Sequence, residues 1–320
     1  MIIGQDPALK RFLDAWQSGT PHHAWLLAGP KGVGKATFAT EAATRILAEA
    51  QGPMPEGEGL DVAADHPARK LLDAGSHPDF RRLQRGMNKS GTALARNISV
   101  DQVRELSRLF EVTASMGDWR VIIIDSADDL EASAANALLK MLEEPPEKTI
   151  FFLVAHAPGR LLPTIRSRCR RLDFDLLSDD AMTSILSQER PDDSESERST
   201  LVSLGQGSVG RALAIAEHDL GALAEEARML MREGDPTNAR RSKLAKSLAL
   251  KAAQPKYAEF LAMLPGVIAA EAKIAEGARR AKLLDAYDEA RRTAIIAPRL
   301  SSDPASTIFT LAGRLAAAAD

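Results

Sequence analysis

The sequence predicts an α/β domain with a largely parallel sheet, then a small helical unit, then a wholly helical C-terminal region. Three observations carry this. Through the first half, short apolar runs alternate with segments of helical period, as strands joined by crossover helices do. A glycine-rich stretch, Gly29-Pro30-Lys31-Gly32-Val33-Gly34-Lys35, links one apolar run to an amphipathic segment. After about Asp175 the strand-like runs stop, and the rest of the chain is rich in Ala and Leu, which favour helix.

In chain order, strands are expected near 24–28, 79–83, 120–125, 149–154 and 170–174, with helices near 35–49, 100–110 and 133–142. Ser99-Val100-Asp101-Gln102 reads as a capping box and sets a helix start at Val100. Residues 51–78 carry Gly, Pro and charge, and predict an insertion with at most one short helix. Residues 176–218 read as a small helical unit interrupted by the polar run PDDSESERS at 191–199. Gly234-Asp235-Pro236 breaks the helical region beyond it. Three domains are expected: 1–175, 176–218 and 219–320.

Bulk properties exclude several classes. The 320 residues are 45% hydrophobic and 27% charged, enough for more than one core. The formal charge of −3 leaves nucleic-acid contact to local basic patches. A single cysteine, Cys169, excludes a disulfide framework and a four-cysteine metal site. The opening MIIGQDPALKRF lacks the apolar stretch of a secretory leader, and no apolar run approaches the roughly 18 residues of a membrane span. A cytoplasmic protein with no membrane partner is expected.

The glycine-rich stretch has the context of a phosphate loop. Glycines let the backbone curl so that its N–H groups and a helix N-terminus face phosphate oxygens, and Lys35 adds a point charge. The hydroxyl that normally follows the lysine and ligates Mg²⁺ is replaced by Ala36, and Thr37 comes one residue too late to share its helical face. The apolar run 121–124 ends in Asp125, which in phosphate-loop ATPases orients Mg²⁺ and its water shell. The next residue, where a glutamate usually polarises the attacking water, is Ser126, a poor base. Asp128 is expected not to reach the site. The chain therefore reads as a nucleotide-type domain without competent turnover.

Asp125-Ser126-Ala127-Asp128, the run 136–146 (NALLKMLEEPP) and Ser167-Arg168-Cys169 together resemble bacterial clamp-loader subunits of DNA polymerase III, in the AAA+ family, and within it the delta-prime type. Ile3-Gly4-Gln5, the HAWLLAGP stretch and the run 207–213 (GSVGRAL) are similar to the family as well, so the motifs cover two-thirds of the chain. The resemblance implies an AAA+ module, a helical lid, and a helical collar domain that closes a five-subunit ring. It implies partners too: motor and delta-type subunits, the sliding clamp reached through the ring, and primer–template DNA, at a nucleoid-associated replisome. Many relatives hold zinc with four cysteines after the first helix, but residues 51–80 contain none. No zinc is expected, and His66 and His77 read as ordinary polar loop residues. ATP or ADP is a candidate ligand, weakly held, with Gly29, Pro30, Lys31, Gly32, Val33, Gly34, Lys35, Ala36, Asp125 and Arg211 as the candidate, degenerate nucleotide site.

The resemblance also implies that Arg168 reaches a neighbouring subunit's ATP as an arginine finger. A planar guanidinium spreads charge over the transferring oxygens, and such a finger contributes roughly 10³–10⁵ in rate. On residues alone, the cluster Arg166, Arg168, Arg170, Arg171 is equally a solvated or DNA-facing edge. Cys169 reads as a packing residue. His156 occupies either a phosphate-sensing or a structural position. Arg211 matches a lid position that senses nucleotide in motor subunits, and a structural ion pair is the expectation here.

Arg81, Arg82, Arg85, Lys89 and Arg96 form one basic stretch, and Arg240, Arg241, Lys243, Lys246 and Lys251 another; either could touch duplex phosphate, which needs no base-specific group, but for the second a solvated helix face without a ligand is the expectation. Leu244, Leu248, Phe260, Leu261, Leu264 and Ile268 form apolar stripes that fit an internal core or a subunit collar. The runner-up function is an active clamp-loader ATPase using Lys35 and Asp125. A stand-alone small-molecule kinase is disfavoured, since the LEEPP and SRC signatures serve a ring assembly.

Overall fold

The computed structural model describes residues 2–52, 57–88, 91, 94–110, 112–300 and 302–319, with the side chains of 251 and 298–300 left out. Its contacts separate two compact units, Met1–Leu177 and Ser178–Asp320.

In the first unit, β1 (Ala24–Ala28), β2 (Phe80–Leu83), β3 (Arg120–Asp125), β4 (Thr149–Ala155) and β5 (Arg170–Asp173) form one sheet in the order β2-β3-β4-β1-β5, every neighbouring pair parallel. Parallel strands covered on both faces need apolar residues at every position rather than alternate ones. That explains the runs Val121–Ile124 and Ile150–Val154, all fully buried. On one face lie α1 (Asp6–Gln17), α2 (Lys35–Ala50) and α3 (Pro67–Asp73), packed through Phe12, Phe38 and Leu72 on Trp25, Ile123 and Phe152. On the other face lie α4 (Val100–Phe110), α5 (Ala132–Glu143) and α6 (Pro163–Ser167), whose Leu106, Leu138 and Ile165 meet Ile122, Phe151 and Leu153.

The expected elements of this unit are present with small shifts at their ends. The capping box forms: the Ser99 N–H donates to Gln102 Oε1 at 3.1 Å, and the Gln102 N–H to Ser99 Oγ at 3.4 Å. Sequence reasoning did not assign α1, although Pro7 near its start and Ala8, Phe12 and Ala15 on one face are its signals. The five-residue α6 was missed as well, because one turn shows no periodicity.

Asp79, expected to open the second strand, precedes it instead. Its buried carboxylate accepts the N–H groups of Ser115 and Met116, both at 2.8 Å, and so pins the loop before β3. Asp79→Asn turns one acceptor into a donor that faces a donor. The expected loss is about 2 kcal/mol of stability, read as a lower urea midpoint.

The second unit is all helix: α7 (Asp179–Glu189), α8 (Glu195–Gly205), α9 (Val209–Glu217), α10 (Gly221–Glu233), α11 (Ala239–Ala249), α12 (Gln254–Ile274), α13 (Gly277–Leu300) and α14 (Pro304–Ala316). The polar run 191–199 is only partly an interruption. Ser194 caps α8 in a full capping box with Glu197, so the second half of the run is that helix's first turn. α8 and α9 pack on α12, where Gln206 Nε2 donates to Gly266 O at 2.8 Å, so residues 178–320 form a single contact unit. Leu244, Leu248, Phe260, Leu261, Leu264 and Ile268 are all buried within it. Of the two uses left open for that stripe, these six side chains serve the internal core.

Candidate functional site

The glycine-rich loop leaves the end of β1 between β4 and β5, so it lies at the carboxyl edge of the sheet, the edge where open α/β sheets bind ligands. Gly29 adopts φ +154°, its N–H donating to Ala155 O at 3.3 Å; a Cβ there would overlap the carbonyl oxygen of Phe174 and lie 3.1 Å from that residue's Cβ. Gly32 (φ +80°) and Gly34 (φ +97°) turn the chain into α2, and Gly34, as N-cap, offers no side-chain acceptor to the first helical N–H groups. Gln5, from the Ile3-Gly4-Gln5 motif, is buried and donates to Val33 O at 3.2 Å and Asp175 O at 2.9 Å, fixing the loop against the chain beyond β5.

Lys35 is buried and folded back on its own loop. Its ammonium donates to the carbonyl oxygens of Gly29, at 2.7 Å, and of Pro30. Burial pulls its pKa down to about 8, against the opposing pull of Asp128 and then Asp125. In the unfolded chain the group titrates near 10.5. Between those values the unfolded chain binds a proton that the folded chain has lost, so this residue makes stability rise with pH from about 8 to 10.5. Lys35→Met should remove that contribution, seen as a flatter urea midpoint between pH about 7.5 and about 10. Equal slopes for the two proteins would refute the assignment.

Asp125 stands where the sequence predicts, at the end of β3, but it is already engaged: Arg82 of β2 places Nη2 2.5 Å from Asp125 Oδ2. Arg85 pairs with Asp129 at 3.2 Å. Arg82 and Arg85 are thus counter-charges to acids at the end of β3 and just beyond, a role that their reading as a DNA-facing stretch missed. Lys89, from the same stretch, lies outside the described residues. Asp128 corrects a second expectation. The turn 127–129 brings its carboxylate to the site, where it accepts the His156 N–H at 2.9 Å and acts on Lys35. His156 Nε2 bonds Ser126 Oγ at 2.9 Å, and burial, reinforced by Lys35, lowers its pKa, so the ring is neutral near pH 7. Ser126 is therefore tied to His156, Ala36 has no side-chain oxygen, Asp125 carries a guanidinium, and Asp128 already accepts the His156 N–H. This donor set does not fit Mg²⁺, which takes oxygen ligands in near-octahedral geometry.

Arg168 ends α6 on the opposite face of the sheet from α2. Nη1 donates to Thr164 O at 3.0 Å and Nη2 lies 2.8 Å from Glu143 Oε1. The side chain remains 35% exposed, which leaves the other N–H groups of its five-donor fork available. Glu143 belongs to the run 136–146, so two distant signature segments meet here. Of the remaining arginines in the cluster, Arg170 stacks on Trp25 with its guanidinium carbon 5.3 Å from the ring centroid, and Arg171 pairs with Asp173 at 2.6 Å. Burial raises the Cys169 thiol to about 12, which suits packing and not nucleophilic attack.

In the second unit, burial lowers the Arg211 pKa against the pull of Glu259 on α12. Arg240 pairs with Glu233 at 2.9 Å, and Arg241 lies over the Phe309 ring at 4.8 Å, so both are engaged structurally; the Lys251 side chain lies outside the described residues. His66 caps α3 by accepting the Ala68 N–H, and the buried His77 accepts the Asp79 N–H. Among the described residues, no three His, Cys, Asp or Glu side chains converge as a metal site, and no helix is long and apolar enough to cross a membrane.

The strand order, the loop at the end of β1 and the acidic end of β3 define a phosphate-loop α/β protein of the AAA+ type. The sequence model of the family described as DNA polymerase III, delta subunit, matches residues 4–178, and the chain belongs to that family. It is 37% identical over 186 residues to the DNA polymerase III subunit delta′ of Pseudomonas aeruginosa (58% of this chain, 53% of that protein). To the delta′ subunit of Escherichia coli it is 34% identical over 166 residues (51% and 46%). The tau subunit of Bacillus subtilis is 30% identical over 254 residues (77% and 42%). The chain thus spans about half the length of the curated relatives it matches. A solved DNA polymerase III gamma subunit-related protein from Thermotoga maritima shares the fold, with a TM-score of 0.54 at 14% identity, covering 99% of this chain and all of that one.

Proposed function

We propose that this chain is a delta-prime-type subunit of a DNA polymerase III clamp loader, one that hydrolyses no ATP at its own loop and gives Arg168 in trans to a neighbour's nucleotide. The observation that carries this reading is the contrast between two places in the first unit. At the loop, the metal hydroxyl is missing and the acid is neutralised by Arg82. At the end of α6, Arg168 is anchored at two points by Thr164 and Glu143 yet presents free donors to solvent. On this reading residues 176–218 serve as the lid and 219–320 as the collar, and the loop holds ATP or ADP weakly. The partners are motor and delta-type subunits, and the assembled cytoplasmic ring places a sliding clamp on primer–template DNA. The test is DNA-stimulated ATP turnover by the loader reassembled around this chain, with wild type against Arg168→Ala. Lost turnover with the ring intact supports the role; unchanged turnover removes it.

A further inference from the structure

Arg82 and Asp125 meet for a geometric reason. β2 and β3 pair with Arg82 opposite Ile123, and side chains two residues apart on a strand share a face. Arg82 and Asp125 therefore project on the same side of the sheet as Ile123, the side that carries α2. The pair is partly shielded, with Asp125 18% and Arg82 38% exposed, and Arg85 forms a second pair with Asp129. The other charged groups acting at this end of the sheet include Lys35, Asp128 and Lys31.

A divalent ion in a phosphate loop is held by a hydroxyl, by the strand-end acid and by the phosphates themselves. Here the hydroxyl is absent and the acid already faces a cation. To bind, Mg²⁺ would have to displace Arg82 with one of its protein ligands missing. We propose that Arg82 occupies the place of Mg²⁺ on Asp125, so that the loop is indifferent to the metal and takes a nucleoside di- or triphosphate only in metal-free form. This deepens, and rests on, the reading of the loop as non-hydrolysing, but it concerns Arg82 and is read without Arg168 or any partner subunit.

The experiment measures ADP binding to the full chain by calorimetry, in Mg²⁺ or in EDTA, for wild type, Ala36→Thr, Arg82→Ala and the double variant. Mg²⁺ should make no difference to wild type or to Ala36→Thr. In the double variant it should tighten ADP by about tenfold or more, the factor expected from one charged hydrogen bond. Mn²⁺ bound in the presence of ADP, read by its electron paramagnetic resonance signal, should appear in the double variant alone. Metal-dependent binding by wild type or by Ala36→Thr would overturn the proposal, as would a double variant that stays indifferent. Thermal unfolding checks each fold, and Ala36→Ser with Arg82→Gln replaces any variant that fails it. The loader assay with Arg168→Ala is separate, so a failure there is told apart from a failure here.

Discussion

On the proposed reading, Arg168→Ala should slow hydrolysis at a neighbouring subunit's site by about 10³, the lower end of what an arginine finger contributes. The physical reason is preorganisation. Thr164 O at 3.0 Å and Glu143 at 2.8 Å hold the guanidinium before any phosphate arrives, so little reorganisation remains for the transition state. Arg168→Lys should recover little of the rate, because an ammonium cannot hold both anchors and also span two phosphate oxygens. Folding should be almost untouched, since a half-exposed ion pair contributes about 0–1 kcal/mol. Single-turnover hydrolysis in the reassembled loader, with gel filtration to confirm assembly, separates lost chemistry from lost association. A rate equal to wild type in an intact ring would falsify the finger.

Gly29→Ala should cost about 3 kcal/mol or more, the largest stability loss foreseen for a loop residue. Two effects add: a backbone angle that L side chains avoid, and a Cβ driven into the Phe174 carbonyl, which backbone cannot easily yield. Gly34→Ala is the matched control. It meets the unfavourable angle at φ +97° but has no atom within 4 Å of the added carbon, so it should lose only about 1–2 kcal/mol. Urea unfolding of both variants decides the matter. Equal losses would mean that backbone angle alone, not packing against Phe174, makes glycine necessary at position 29.

These two results concern opposite faces of one sheet. The loop and Asp125 stand on the face of α2, where Lys35 bonds its own loop and Arg82 bonds the acid. Arg168 stands on the face of α5 and α6, held by backbone and by Glu143. On the proposed reading, a site turned inward and an arginine turned outward would separate a subunit that assists hydrolysis from one that performs it.

Much of this was legible in the residues. The buried runs 121–124 and 150–154 specify parallel strands, because only a strand covered on both faces is apolar at every position. The glycines and Lys35 specify the loop, and Ala36 and Ser126 specify what it lacks, because each is a matter of residue type at one local position. The capping boxes at Ser99 and Ser194 are equally local, the first evident as a helix start and the second hidden in a run that reads as an interruption. Tertiary structure alone decided the rest, because it depends on residues distant in sequence. Arg82 lies 43 positions before Asp125 and meets it only through the β2–β3 register. Asp128 reaches the site only because the turn 127–129 folds back against β4, and Glu143 finds Arg168 only because α5 and α6 pack together. Charge type can be read along a chain, but which opposite charge a side chain faces depends on how the sheet is paired and covered.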